Sequence, residues 1–142
     1  MSQFLQTHII LSVPQSGDIR TLLADMNYLS DLVNENIVVK SGLNTDLGSI
    51  PQILQNIFPK DGKAMFAYIL HDHLYKTGVY DRGTCDDILE EAMEVLGVSW
   101  FTRKSVRSGL KIGGWVAWNE HRKRDDKTPL DKIGRASCRE RV

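Results

Sequence analysis

The chain is built around the eight residues Tyr68-Ile69-Leu70-His71-Asp72-His73-Leu74-Tyr75. They lie in an apolar run without proline, which is typical of a helix. Residues three and four apart share one face of a helix, and this rule places four side chains on one polar and aromatic stripe: Tyr68, His71, Asp72 and Tyr75. Because an unpaired buried polar group costs about 1–3 kcal/mol, we expect this stripe to be hydrogen-bonded or functional.

A second helical pattern follows after a turn over residues 77–83. Thr84 is the expected N-cap, and the pattern opens with Cys85-Asp86-Asp87. Two helices joined by so short a turn are expected to lie antiparallel. The sequence therefore predicts a helix hairpin in which Asp86 lies against His71.

A third helix is expected from Trp100 to about His121, capped by Ser99, with Trp115 and Trp118 packed on the hairpin. Three basic residues recur on one of its faces: Arg103, Arg107 and Lys111. No nucleic-acid-binding motif accompanies them, so we expect a solvated helix face and no nucleic-acid partner.

The first forty residues predict strands. A β-type run over residues 8–13 stops at Pro14, and Ile37-Val38-Val39 is a short β-branched strand. Residues 19–33 are ambiguous, because their apolar residues fit either a helical face or a strand of a meander. Residues 41–51 are rich in Gly, Asn, Asp and Pro and predict a shaped loop, which leads into a short helix over residues 51–58. The fold class predicted is α+β: a small N-terminal antiparallel sheet, then a three-helix half centred on the antiparallel hairpin.

Composition is that of an ordinary globular chain, with 42% hydrophobic and 25% charged residues, so one domain over residues 1–127 is expected. No apolar run reaches the ~20 residues of a membrane span, and the N-terminus does not have the pattern of a signal peptide. The cysteines are Cys85 and Cys138, which imply no disulfide framework and favour a reducing compartment.

The C-terminal residues 128–142 are expected to form a disordered tail. Residues 133–142 resemble the translation of a short sequencing adapter, which would make them an artefact, and the alternative is a natural basic tail. Removing them takes away three Arg and one Glu and changes the net charge from zero to −2.

Four motifs occur in order: Gly42 to Pro51, His71 to Tyr75, Arg82-x-x-x-Asp86, and Ala92-Met93. Together they resemble a family of phage and prophage proteins of unknown function, over roughly residues 20–118. The resemblance implies a strand near residues 20–30 and a location in the host cytoplasm or the virion. It also indicates structural or loop roles for four residues: Thr45, Ser49, Pro51 and Arg82.

The same middle region is similar to secreted and viral phospholipases A2, which carry His-Asp-x-x-Tyr on one helix and an Asp on a second, antiparallel helix. The resemblance implies that His71 is the general base for water attacking an ester carbonyl. It makes Asp86 the carboxylate that orients His71, and Tyr75 a supporting hydrogen bond. A neutral imidazole suits proton abstraction near neutral pH.

The resemblance also implies calcium as cofactor, with Asp72 as metal ligand. Asp46 and the carbonyl groups of residues 42–48 are the candidates to complete the site, because calcium takes several oxygen ligands. The loop departs from the phospholipase pattern, since it has no cysteine and its two glycines, Gly42 and Gly48, are widely spaced.

Each of these features also has a structural interpretation. His71 and Asp86 can form an internal pair that locks two helices together, and Asp72 can pair with Lys76 four residues later. Three classes of function therefore stay open. They are a calcium-assisted ester (phospholipid) hydrolase, a phage factor that binds a small molecule or lipid without turnover, and a virion or assembly component in which the motifs are structural.

Overall fold

The N-terminal part of the chain forms two three-stranded antiparallel sheets in the computed structural model, which describes residues 1–15, 19–45, 56 and 64–127. The strands are β1 (Gln3–Phe4), β2 (Leu11–Ser12), β3 (Arg20–Leu22), β4 (Met26–Ser30), β5 (Glu35–Val39) and β6 (Asn44–Thr45). One sheet has the order β1-β4-β5 and the other β2-β3-β6. The predicted N-terminal sheet is thus confirmed, but divided in two.

The hairpin of β4 and β5 settles the ambiguity of residues 19–33 in favour of strands. Met26 lies opposite Val39 and Tyr28 opposite Ile37, so these four side chains share one face of the sheet. All four are buried, whereas Asn27 between them is partly exposed. This alternation has the period of two that a half-buried strand requires.

Residues 64–127 form three helices: α1 (Ala64–Thr77), α2 (Arg82–Val95) and α3 (Trp100–Lys127). The N-cap of α2 is Asp81, whose Oδ1 accepts the backbone N–H of Thr84 at 2.7 Å. The prediction of Thr84 as the N-cap was wrong. Asp81 and Thr84 are both residue types that cap helices, and the cap is Asp81, three residues before Thr84. Ser99 does cap α3, since its Oγ accepts the backbone N–H of Thr102 at 3.3 Å.

Glu91 of α2 joins the helices to the first sheet. Its carboxylate accepts the hydroxyls of Tyr28 and Ser30, both at 2.8 Å, and the backbone N–H of Leu32 at 3.0 Å. Beside it, the Phe4 ring lies tilted against Tyr28 and edge-on to Phe66, with ring centroids 4.7 and 5.4 Å away. The apolar core therefore runs from β4 and β5 into α1 and α2.

The third helix packs through a stripe with a spacing of four: Val106, Leu110, Gly114 and Trp118. Trp118 meets the Tyr75 ring edge-on at 5.4 Å, as predicted. Trp115 is half exposed, so its predicted packing was wrong, because it lies to one side of the stripe. Among residues 64–127, no helix is long and apolar enough to cross a membrane.

Several predictions fall outside the described residues. They concern Asp46, Ser49 and Pro51, the tail over residues 128–142, and the short helix over residues 51–58, of which only Asn56 is described, as helical.

Candidate functional site

Asp86 lies at the centre of a buried polar network between α1 and α2. Its Oδ1 is 2.8 Å from Nε2 of His71 and accepts the hydroxyl of Tyr75 at 2.6 Å. The side chains of His71 and Asp86 are 0% and 1% exposed. The predicted contact between these two residues is therefore confirmed. Since a carboxylate can only accept, the network assigns the imidazole hydrogen to Nε2.

The hairpin brings the three residues together through local spacing. His71 and Tyr75 are four apart on α1, and their rings are 4.1 Å apart between centroids. Asp86 is in the second turn of α2 and faces them from the antiparallel helix. Burial, reinforced by the hydrogen bond to Asp86, raises the pKa of Tyr75, so its hydroxyl stays a donor.

Arg107 of α3 supplies the positive charge beside Asp86, and sequence analysis missed it. Its Nη1 is 3.4 Å from Asp86 Oδ2, and its Nη2 is 2.9 Å from Asp87 Oδ1. The guanidinium also reaches the carbonyl of Gly83, and the side chain is only 17% exposed, so the prediction of a solvated face was wrong here. The sequence signal that could have revealed Arg107 is the adjacent pair of carboxylates, Asp86 and Asp87, because a buried carboxylate needs a cation beside it.

Gly114 of α3 allows the third helix to approach this network. A Cβ at that position would be 2.8 Å from the Tyr75 hydroxyl and 3.3 Å from a Leu110 methyl carbon. Only glycine fits so close to the hydroxyl without displacing it.

Asp72 forms a second polar cluster on α1. It is 2% exposed, and Nζ of Lys76 lies 3.2 Å from its Oδ2, so the predicted pair is confirmed. Within the described residues Oδ2 has no hydrogen-bond partner, so its contact with Lys76 is an ion pair. The Lys76 ammonium also donates to the backbone carbonyl of Asn44 in β6.

The described residues do not fit a calcium site at Asp72. Calcium takes six to eight oxygen ligands, whereas Asp72 is one carboxylate with an ammonium group beside it. In the described part of the chain, no group of three or more His, Cys, Asp or Glu residues could hold a metal ion. The prediction that Asp46 completes the site lies outside those residues.

Two of the predicted loop residues are described. Thr45 is buried in β6, opposite Arg20 of β3. Arg82 begins α2, and its Nη1 donates to the carbonyl of Leu110 at 3.0 Å, which ties α2 to α3. Arg82 also lies beside the network around Asp86: its Nη1 would be 3.6 Å from a Cβ added at Gly114, the same point that is 2.8 Å from the Tyr75 hydroxyl, and its charge opposes the rise in the pKa of Tyr75.

One family model matches residues 20–107, under the description protein of unknown function (DUF1353). The matched region contains His71, Tyr75, Asp86 and Arg107, and therefore the entire network around Asp86. The chain matches no curated protein and no solved structure.

Proposed function

The chain belongs to the DUF1353 family of proteins of unknown function, and we propose that it is an ester hydrolase with His71 as general base. The observation that carries the proposal is the 2.8 Å contact between His71 Nε2 and Asp86 Oδ1. A carboxylate on Nε2 fixes the imidazole tautomer and stabilises the imidazolium that forms when Nδ1 takes up a proton.

The proposed step uses water as the nucleophile. Nδ1 of His71 takes a proton from a water molecule while the water oxygen bonds to the ester carbonyl carbon. The carbon–oxygen bond to the alcohol then breaks, and the imidazolium returns the proton to the leaving alkoxide. Asp86 balances the transient positive charge on His71, and the Tyr75 hydroxyl holds Asp86 in place.

The substrate class and origin rest on resemblance. The motif His71-Asp72-x-x-Tyr75 with Asp86 on a facing helix is similar to that of phospholipases A2, which supports a phospholipid ester as the substrate. The ordered motifs from Gly42 to Met93 support a phage or prophage origin.

A second candidate is favoured by one observation, the complete burial of His71 and Tyr75. Water must reach the imidazole for hydrolysis, so the site has to open. A network that stays closed fits a non-enzymatic role, in which the pair locks the hairpin of a small-molecule-binding factor or of a virion or assembly component.

An esterase panel with variants of equal size separates the two candidates. Purified protein is assayed on chromogenic esters and on phospholipid vesicles, in calcium and in chelator. We expect turnover that falls by about 10²–10⁴-fold in His71→Gln, while the variant stays folded by circular dichroism. His8→Gln is the matched control, because His8 is exposed and outside the network.

Two outcomes contradict the hydrolase. One is the absence of turnover on every ester by folded wild-type protein. The other is turnover that His71→Gln leaves unchanged. If the wild type shows no turnover and His71→Gln unfolds the protein, the structural role of the pair is favoured.

A further inference from the structure

The third helix has a second apolar face, which points away from the hairpin. Four of its large side chains are between 51% and 79% exposed: Phe101, Ile112, Trp115 and Val116. Together they present about 500 Å² of apolar surface to solvent. An exposed apolar patch of several hundred Å² marks an interaction site. We call these four residues, with the small polar residues between them, the outer face of α3.

The outer face lies opposite the stripe through which α3 packs on the hairpin. Ile112 is two residues from both Leu110 and Gly114 of that stripe, which places it about 200° around the helix from each of them. Leu110 and Gly114 are buried, whereas Ile112 is exposed. The helix therefore has one apolar face for the fold and another that the fold does not use.

Residues of the outer face recur at alternating intervals of four and three, which is the spacing of a coiled-coil seam. Six positions follow this spacing: Phe101, Ser105, Ser108, Ile112, Trp115 and Asn119. Ser105 does not interrupt the apolar character, because its hydroxyl donates to the Phe101 carbonyl at 2.9 Å within the helix. A seam with this spacing can pack against the same seam on a second copy of the chain.

The charges beside the outer face favour a protein partner over an anionic lipid surface. A lipid-binding cluster contains about four to eight basic residues. Here Lys104 pairs with Glu90 of α2, and Lys123 pairs with Glu120 at 3.6 Å. Of the three lysines on the part of α3 whose side chains are described, two thus already have a carboxylate partner.

The exposed area matches what a weak dimer needs. Two copies of the outer face would together bury about 1,000 Å², which is at the lower end of the range for specific interfaces. A contact of this size predicts association on the order of micromolar concentrations.

We propose that two copies of the chain pair through the outer face of α3, with the two helices parallel. Each seam residue then meets its counterpart, Ile112 against Ile112 and Asn119 against Asn119, and an asparagine at such a position specifies the register of parallel pairs. An antiparallel pair would bring the side of the seam that carries Lys111 against the same side of the second copy, where like charges repel. This inference goes beyond the proposed hydrolase, because it concerns association and needs no turnover.

The first test is sedimentation velocity over concentrations from about 1 μM to about 200 μM. The mass of the wild type should rise towards twice that of one chain. Ile112→Lys should stay monomeric, because two ammonium groups would meet across the seam. Ile10→Lys is the matched control: Ile10 is also exposed but lies beside β2, so its replacement should leave the association unchanged. Circular dichroism verifies that the variants are folded.

A second test asks whether Ile112 meets its own counterpart. Ile112→Glu should be monomeric by itself, as Ile112→Lys is, because like charges meet across the seam. An equimolar mixture of the two variants should associate, because opposite charges then meet at this position.

The inference is overturned if the wild type stays monomeric at about 200 μM, or if Ile112→Lys associates as the wild type does. A mixture of Ile112→Lys and Ile112→Glu that stays monomeric overturns the parallel two-fold contact. A monomeric wild type that floats with anionic phospholipid vesicles, in a manner that Ile112→Glu abolishes, would make a lipid surface the occupant instead. None of these measurements uses turnover, so they stand apart from the outcome of the esterase panel.

Discussion

Gly114 of α3 lies directly over the hydroxyl of Tyr75, so close that a Cβ there would be 2.8 Å from the hydroxyl oxygen. That hydroxyl donates to Asp86, which in turn contacts His71. The third helix therefore determines how much room the polar network of the hairpin has. A residue outside the motifs controls the geometry inside them.

Gly114→Ala should destabilise the protein by about 1–3 kcal/mol, because the added methyl group overpacks the contact with Tyr75. Chemical denaturation measures the change. Gly83→Ala is the matched control: its nearest atom would be 4.0 Å away, and alanine in a helix is favoured over glycine by about 0.5–1 kcal/mol. A Gly114→Ala variant as stable as Gly83→Ala would mean that α3 moves aside freely.

Asp86→Asn should cost about 3–5 kcal/mol of unfolding free energy, because it leaves Arg107 without its buried partner and weakens two hydrogen bonds. Tyr75→Phe removes one hydrogen bond and should cost only about 1 kcal/mol. Urea denaturation of both variants gives the comparison. Equal losses would contradict the central position of Asp86 in the network.

Gly78→Ala should be strongly destabilising, by about 2–3 kcal/mol, for two reasons. Gly78 has φ +61°, and a Cβ there would be 1.6 Å from Nη1 of Arg122. Arg122 donates to the carbonyls of Tyr75 and Lys76 at the end of α1, and it would have to leave them.

Gly42→Ala separates the two causes of destabilisation in Gly78→Ala, which are backbone strain and the displacement of Arg122. Gly42 also has a positive φ, +97°, but no atom lies within 4 Å of its added Cβ. Thermal melting of both variants should show the smaller loss for Gly42→Ala, and the difference reports the displacement of Arg122. A loss at Gly42 equal to that at Gly78 would show that backbone strain alone is responsible.

Stability should fall as the pH drops below neutral. Burial chiefly lowers the pKa of both His73 and His121 from the usual 6.5, while the negative charge of Asp72 acts to raise both. As the pH falls, the unfolded chain therefore takes up protons before the folded chain does. The stabilisation contributed by neutral His73 and His121 is complete above pH 6.5 and is lost as the pH falls through their folded-state pKa values.

Melting temperatures at about pH 7.5 and about pH 5.5 test this dependence. His73→Gln and His121→Gln should each reduce the loss between the two pH values. His8→Gln, at an exposed position, should leave it unchanged. A loss that neither His73→Gln nor His121→Gln reduces would assign the pH dependence to other groups.

The helices and the contact of His71 with Asp86 could be predicted because both follow from local spacing. The three-to-four period marks the helices, and a short turn between them leaves little choice of arrangement. The strands of residues 19–33 could not be assigned from the pattern, since short apolar runs satisfy both periods. Their division between two sheets depends on pairings with residues far along the chain, such as Gln3 with Leu29.

The part of the site that could not be predicted comes from α3. Arg107 reaches Asp86 from 21 residues away, and Gly114 fits over Tyr75 because of how α3 crosses the hairpin. Neither contact has a local signature: a basic helix face looks the same in the sequence whether it meets water or a buried carboxylate. Whether such a face meets water or a buried carboxylate depends on how the helices pack, and the periodicity of the sequence does not show this.

The reactivity of the Cys85 thiol reports how often the hairpin opens. It is fully buried in α2 beside Asp86, and burial chiefly raises the pKa of its thiol to about 12. Because thiol reagents attack the thiolate, the closed protein is unreactive at this position. With Cys138 replaced by serine, the labelling rate of Cys85 counts openings of the helix that carries Asp86. At reagent concentrations where the labelling rate no longer rises, it equals the opening rate, which is the upper limit for any turnover that requires the hairpin to open before water reaches His71.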